Sequence, residues 1–238
     1  MERVRHQPET RDRSPQRGAA QAELVETRLF LISPLRLHGH DKAYGKEVSK
    51  LKAALVTGAT RGAGRAIAVA LAMAGWRTYA LGRDRAVLDE MRAGCGVQPL
   101  AMDLTDRDDL RVIAGDMRLD ALIHAPLRWP QEGRFVDLRE ADIDMALEVN
   151  LSATLHLTHA ILPSMIAARS GHIVLISPGV SPDRSLVRAT VGSAVAAFAD
   201  GLRSEFASSG VTVQTLDPGM PPFEGMAQSL VKSLGGRD

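Results

Sequence analysis

The stretch TGATRGAGRAIA, residues 57–68, governs how the rest of the chain is read. Directly before it runs KAALVT, residues 52–57, an apolar segment with the length and composition of a buried strand. After it the pattern becomes helical. Glycines at 58, 62 and 64 let the backbone turn tightly and approach a ligand closely. The helix that follows directs its positive N-terminal end at any anion held there. Strand, glycine loop and helix in that order predict a cradle for a dinucleotide pyrophosphate, built from Thr57, Gly58, Arg61, Gly62, Ala63 and Gly64.

Beyond this stretch, short apolar runs alternate with helical patterns. Further strands are predicted at 77–82, 97–101, 120–124, 172–177 and 211–216. Six strands separated by helices predict an α/β protein with a doubly wound parallel sheet, a Rossmann fold in a single domain. One long helix is predicted over about 140–168, burying a stripe of Ile143, Leu147, Leu151, Leu155, Thr158 and Leu162. A second, over 186–208, is rich in Ala and Gly on its early turns. Asp84 is expected to cap the helix after the second strand.

Composition bounds the rest. At 238 residues and 45% hydrophobic, the chain is long enough for one domain with a substantial core. A net charge of +1 gives no reason to expect nucleic acid. No continuous apolar run approaches the ~18 residues that suggest a membrane span, so no membrane partner and a cytoplasmic location are expected. The single Cys95 excludes an internal disulfide and a multi-thiolate metal site, and no metal is expected. Residues 1–50 read as an N-terminal extension, largely disordered, because residues 1–22 have hardly an apolar side chain to offset the entropy of ordering. The apolar run LFLISPL at 29–35 is either a mobile segment or a partner-docking one. Residues 51–238 form the dinucleotide-binding domain.

Over most of residues 52–219 the chain resembles the short-chain dehydrogenase/reductase (SDR) family. The carriers are the glycine loop, MDLTD at 102–106, LDALIHAP at 119–126, LEVNLSATLHLTHAILPSM at 147–165, GHIVLIS at 171–177 and GVTVQTLDPG at 210–219. The resemblance implies that Asp103 and Leu104 lie against the adenine. It places His124 and Ala125 on the cofactor wall, and Pro218 and Gly219 in the turn after the sixth strand. It also implies a small carbonyl or alcohol substrate and a homodimer built on the helices at 140–168 and 186–208. The final strand usual in the family is not read before Asp238, so the domain is expected to be C-terminally shortened.

Charge favours NADP(H) over NAD(H). An acid at the end of the second strand usually binds the 2′-hydroxyl of the adenine ribose, whereas a 2′-phosphate needs cations. Here Gly82 holds the usual acid position, Arg83 follows it, and Arg61 stands in the loop. Two guanidiniums can fork onto a phosphate.

The family's proton-transfer residues are a different matter. The resemblance implies a tyrosine as general acid/base, a lysine four residues on that lowers its pKa, a serine after the fifth strand and an asparagine on the long helix. Aligning on Phe198 puts Arg188 at the tyrosine position and Gly192 at the lysine position. Pro178 falls where the serine belongs, with Ser177 one place early, and only Asn150 matches. The tyrosines of the chain are Tyr44 and Tyr79, and its lysines are Lys42, Lys46, Lys50, Lys52 and Lys232, so no local shift of register restores the pair. Phe223 stands near the usual carboxamide-binding threonine. Ser177 and Arg188 are the candidate substitutes; Arg188 is a permanent cation suited to a carboxylate or phosphate rather than to proton donation near neutral pH. Three readings stay open here. The chain is an NADP(H)-binding member with a degenerate active site acting as sensor, scaffold or partner subunit, an oxidoreductase with non-standard catalytic residues, or a remnant that binds no dinucleotide.

Overall fold

In the computed structural model of the protein, residues 51–131, 133–177 and 185–235 are described. The 1–50 extension, with Tyr44 and the 29–35 run, lies outside the described residues, as does Pro178.

Six strands form one parallel sheet: β1 (Ala53–Thr57), β2 (Arg77–Gly82), β3 (Gln98–Ala101), β4 (Ala121–His124), β5 (Gly171–Ile176) and β6 (Val211–Leu216). Their order is β3-β2-β1-β4-β5-β6. The central strands are apolar throughout because helices cover both faces of a parallel sheet, and every residue of β1 and β4 is buried. Successive side chains alternate between the faces. Ala54, Val56 and Ile123 join the core formed with α1 (Gly62–Met73), α2 (Arg85–Cys95) and α7 (Glu224–Ser233), through Ile67, Leu71, Leu88 and Leu230. Their neighbours Leu55, Leu122, Ile173 and Leu175 are equally buried outside that cluster. On the sheet's remaining elements, α5 (Ala153–Ala168) packs against β5, α6 (Leu186–Glu205) against β6, and α3 (Arg107–Asp116) against α5.

The strand order reverses between β1 and β4, where Thr57 and His124 stand side by side at the carboxyl ends of their strands. A ligand crevice opens beyond such a switch point in this architecture.

The predicted long helix is three pieces: α4 (Glu140–Leu147), a π-helical turn (Glu148–Ser152) and α5. Its predicted buried stripe is corrected. Thr158 and Leu162 are buried as predicted, but Leu147 and Leu155 are each 38% exposed, and the inward face before them is Ala146, Asn150, Ala153, Leu157 and Ile161. The physical reason is geometric. Each step of four residues overshoots a 3.6-residue turn by about 40°, so Ile143, Leu147, Leu151 and Leu155 in succession walk off the sheet. The wide turn is held at both ends by Arg107, which donates to the Glu148 carboxylate at 2.9 and 3.1 Å and to Ser152 Oγ at 2.8 Å. The second predicted helix ends at Glu205 rather than at 208, with Phe206 as its cap.

Candidate functional site

The glycine loop packs as tightly as its sequence suggests. Gly58 has φ +64°, and a Cβ there would stand 2.2 Å from the Ala125 carbonyl oxygen. A Cβ on Gly64 would meet the Gly58 carbonyl oxygen at 2.4 Å. Glycine is therefore required at both positions, and α1 begins immediately beyond the carboxyl end of β1. Arg61 is the N-cap of α1, supplies no side-chain cap bond, and no acid stands in the first turn. The first-turn amides are left for an external acceptor, as a pyrophosphate-binding helix end requires.

A groove of about 420 Å³ runs from this loop across the ends of β2, β3 and β4. Of the residues singled out in the sequence, Gly58, Arg61, Gly62, Ala63, Gly64, Arg83, Asp103, Leu104 and Ala125 line it together. Thr57, His124, Pro218 and Gly219 do not. Thr60, Met102, Leu127, Arg128 and Val149 line it without having been singled out. They come from segments that only the fold gathers, Leu127 and Arg128 from the loop after β4.

The groove's adenine end is cationic. Arg61 donates to the Leu127 carbonyl at 3.3 Å, and Arg83 lies 3.6 Å from Asp103. The Arg83 and Asp103 side chains are 59% and 42% exposed, so their pairing is a weak surface contact of about 0–1 kcal/mol that a phosphate can displace. Burial alone would raise the Asp103 carboxyl. Two hydrogen bonds from Thr105 and the charges of Arg83 and Arg128 outweigh it and hold the pKa below the usual carboxylate value. At Gly82, a Cβ would stand 2.6 Å from Thr60 Cγ2, so a larger residue there would require the Thr60 side chain to shift. Asp84 caps α2 by accepting from the Val87 amide, as predicted. The glycine cradle and the uncapped helix end together fit a nicotinamide dinucleotide.

Thr57 and His124 form a seam under this groove. Thr57 Oγ1 accepts from the Ala125 amide at 3.2 Å and lies 2.9 Å from His124 Nδ1. With the hydroxyl proton directed to Nδ1, the imidazole carries its proton on Nε2, which is buried and has no partner. Burial pushes the His124 pKa down to about 3, so the ring is neutral near pH 7 and a poor proton carrier.

Among the described residues, the space where the family alignment places the proton-transfer residues is small. A cavity of about 10 Å³, room for about one water, lies among His124, Trp129, Asn150, Thr154, Ser177 and Val191. Asn150 is fully engaged: Oδ1 accepts from the Arg128 amide at 3.0 Å, while Nδ2 donates to the Arg128 carbonyl at 2.6 Å and the Ala146 carbonyl at 2.8 Å. Its amide is a clamp on the loop after β4. Arg188 is half-buried in the first turn of α6, capped by Ser185, with its guanidinium 5.4 Å from the ring centre of Trp129. Arg188 Nε is buried with no acceptor among the described residues. Tyr79 is buried inside β2, and Lys52 stands at the opposite, amino-terminal edge of the strands, bonded to the Leu234 carbonyl at 3.0 Å. Trp129 was not singled out; as one of two tryptophans in the chain, set in the polar segment LRWPQE, it was the signal available.

Fold and groove thus define a dinucleotide-binding α/β protein of the doubly wound class. Residues 52–233 match the short chain dehydrogenase family model, and the chain belongs to that family. An uncharacterised short-chain type dehydrogenase/reductase of Sinorhizobium fredii is 38% identical over 176 residues, 72% of this chain and 71% of that one. A short-chain dehydrogenase structure from Streptomyces avermitilis has 30% identity and a TM-score of 0.67, covering 71% of this chain and 66% of its own. A metagenomic short-chain oxidoreductase solved in complex with NADP has 28% identity and a TM-score of 0.69, over 78% of this chain and 91% of its own.

Proposed function

We propose that the protein binds NADP(H) in preference to NAD(H) and has a degenerate active site that turns over carbonyl or alcohol substrates weakly or not at all. It then acts as a sensor, scaffold or partner subunit. The observation that carries this reading is a contrast within one site. An open groove of about 420 Å³ with glycine cradle and guanidiniums adjoins a catalytic end of about 10 Å³ whose alignment holds Arg188 and Gly192 instead of a phenol and an ammonium. A phenol near pKa 10 needs a fixed cation to approach neutrality, and neither partner is in place. Arg61 and Arg83, with Thr60 against Gly82 in place of an acid, support the phosphate-bearing cofactor.

The test is binding of NADPH and NADH to the purified protein, with turnover over a panel of aldehydes and ketones. NADPH binding at least tenfold tighter than NADH is expected, with the preference lost in Arg61→Ala/Arg83→Ala. Equal affinities would remove the cofactor preference, and robust turnover of any carbonyl would remove the degenerate-site reading in favour of an oxidoreductase with altered residues.

A homodimer belongs to the same reading. Leu147 and Leu155, on the outward side of α4 and α5, are each 38% exposed, with Leu151 between them half-buried. They supply the apolar stripe a second copy would cover.

A further inference from the structure

Among the described residues, nothing balances the charge of Arg188. It lies in the first turn of a 20-residue helix, where the helix dipole disfavours a cation, and no acid stands in that turn. No carboxylate pairs with it among the described residues, and its Nε has no acceptor. Instead the guanidinium carbon lies 5.4 Å from the ring centre of Trp129, within cation–π range, while the buried Nε has no acceptor among the described residues. Asn150 clamps the residue preceding Trp129, Arg128, through both its amide and its carbonyl, and Trp129 lines the cavity that Asn150 and Ser177 share. Val191, one turn beyond Arg188, lines the same cavity.

We infer that Arg188, backed by Trp129, is a receptor for the carboxylate of a small organic acid, placed where the family alignment puts its proton donor. A planar two-oxygen anion matches the guanidinium fork and would give the unpartnered N–H its acceptor. A single carboxylate is the closer match, because among the described residues Arg128, beside Trp129 in the chain, lines the cofactor groove and acts on Asp103. The inference deepens the binding reading above and rests on it: the groove holds the cofactor, and its neighbour senses an acid in place of reducing a carbonyl. Asn150 is a positioning residue in this device, acting through Trp129.

The experiment uses the full chain carrying Trp76→Phe, which leaves Trp129 as the reporting fluorophore. Acetate, pyruvate and benzoate are titrated beside neutral acetamide, methyl pyruvate and benzamide, and beside inorganic phosphate. At least one acid is expected to shift Trp129 emission saturably while its neutral counterpart does not. The response is expected to vanish in Arg188→Ala and to weaken at least tenfold in Arg188→Lys, which keeps the charge but loses the fork. Asn150→Ala is expected to weaken the acid response more than it weakens NADPH binding. No saturable response to any acid, an undiminished one in Arg188→Ala, or an equal one to phosphate would overturn the inference. If Trp76→Phe does not fold, calorimetry of the same acids on protein with both tryptophans measures the same binding. NADPH titrated into the same samples separates the two claims. Acid binding without NADPH binding overturns the cofactor reading alone, and NADPH binding without acid binding overturns this inference alone.

Discussion

His124 shows how far one buried side chain departs from its position in a motif. The family resemblance put it on the cofactor wall, yet its ring is turned into the β1–β4 seam against Thr57, away from the groove lining. Its folded pKa of about 3 lies below the ordinary 6.5, so the native state refuses a proton that the unfolded chain accepts. Above about pH 6.5 neither state is protonated and stability is whole. As pH falls from there toward 3, stability is lost at roughly 1.4 kcal/mol per pH unit from this residue. His124→Asn, which cannot titrate, is expected to show a shallower acid limb in urea denaturation measured from pH 7 to 4; an unchanged slope would mean the ring is accessible to protons. At this scale the sequence was legible where backbone demands decide identity, as at Gly58 and Gly64, whose Cβ atoms have no room. It was not legible where a partner is distant in the chain. Nothing in the segment around Asn150 announces that its amide clamps Arg128, 22 residues away.

Among elements, the glycine loop and α1 are one unit. Gly58→Ala would combine φ +64° with a Cβ 2.2 Å from the Ala125 oxygen. A loss of about 2 kcal/mol or more is expected in chemical denaturation, with NADPH binding abolished; wild-type affinity would show that the loop relaxes. At the opposite edge, Lys52 ties the start of β1 to the end of α7. Its ammonium bonds the Leu234 carbonyl at 3.0 Å and lies 5.2 Å from the ring centre of Trp76. Lys52→Met keeps the stem and is expected to cost about 1–2 kcal/mol, read as a lower urea midpoint at unchanged slope. Strand positions were readable to within a residue or so because buried parallel strands are short apolar runs between turns. The face of the 140–168 helix was misread because its steps of four and its π turn alter the phase, and the π turn depends on Arg107 reaching from another helix.

For the whole molecule, the outward stripe of Leu147, Leu151 and Leu155 predicts association. Leu147→Glu/Leu155→Glu should convert a dimer to a monomer in sedimentation while leaving NADPH affinity unchanged; a monomeric wild-type chain would contradict the dimer. The larger pattern is a fold whose cofactor half keeps its glycine cradle, helix end and cations, while among the described residues the proposed catalytic half offers a cavity of only about 10 Å³, lined by Trp129 and Asn150. The cofactor half was largely legible from spacing, since loop and helix are contiguous in the chain. The catalytic half was not, since it depends on a loop, a helix turn and a helix start that only the fold brings together. Both halves are probed at once by following NADPH fluorescence on the full-length protein in one continuous trace, first alone and then with a panel of carbonyl compounds. A cofactor-binding protein with a degenerate catalytic end gives an enhanced signal on binding that persists unchanged after the carbonyls are added. No enhancement, or an enhancement that decays as a carbonyl is reduced, would contradict it.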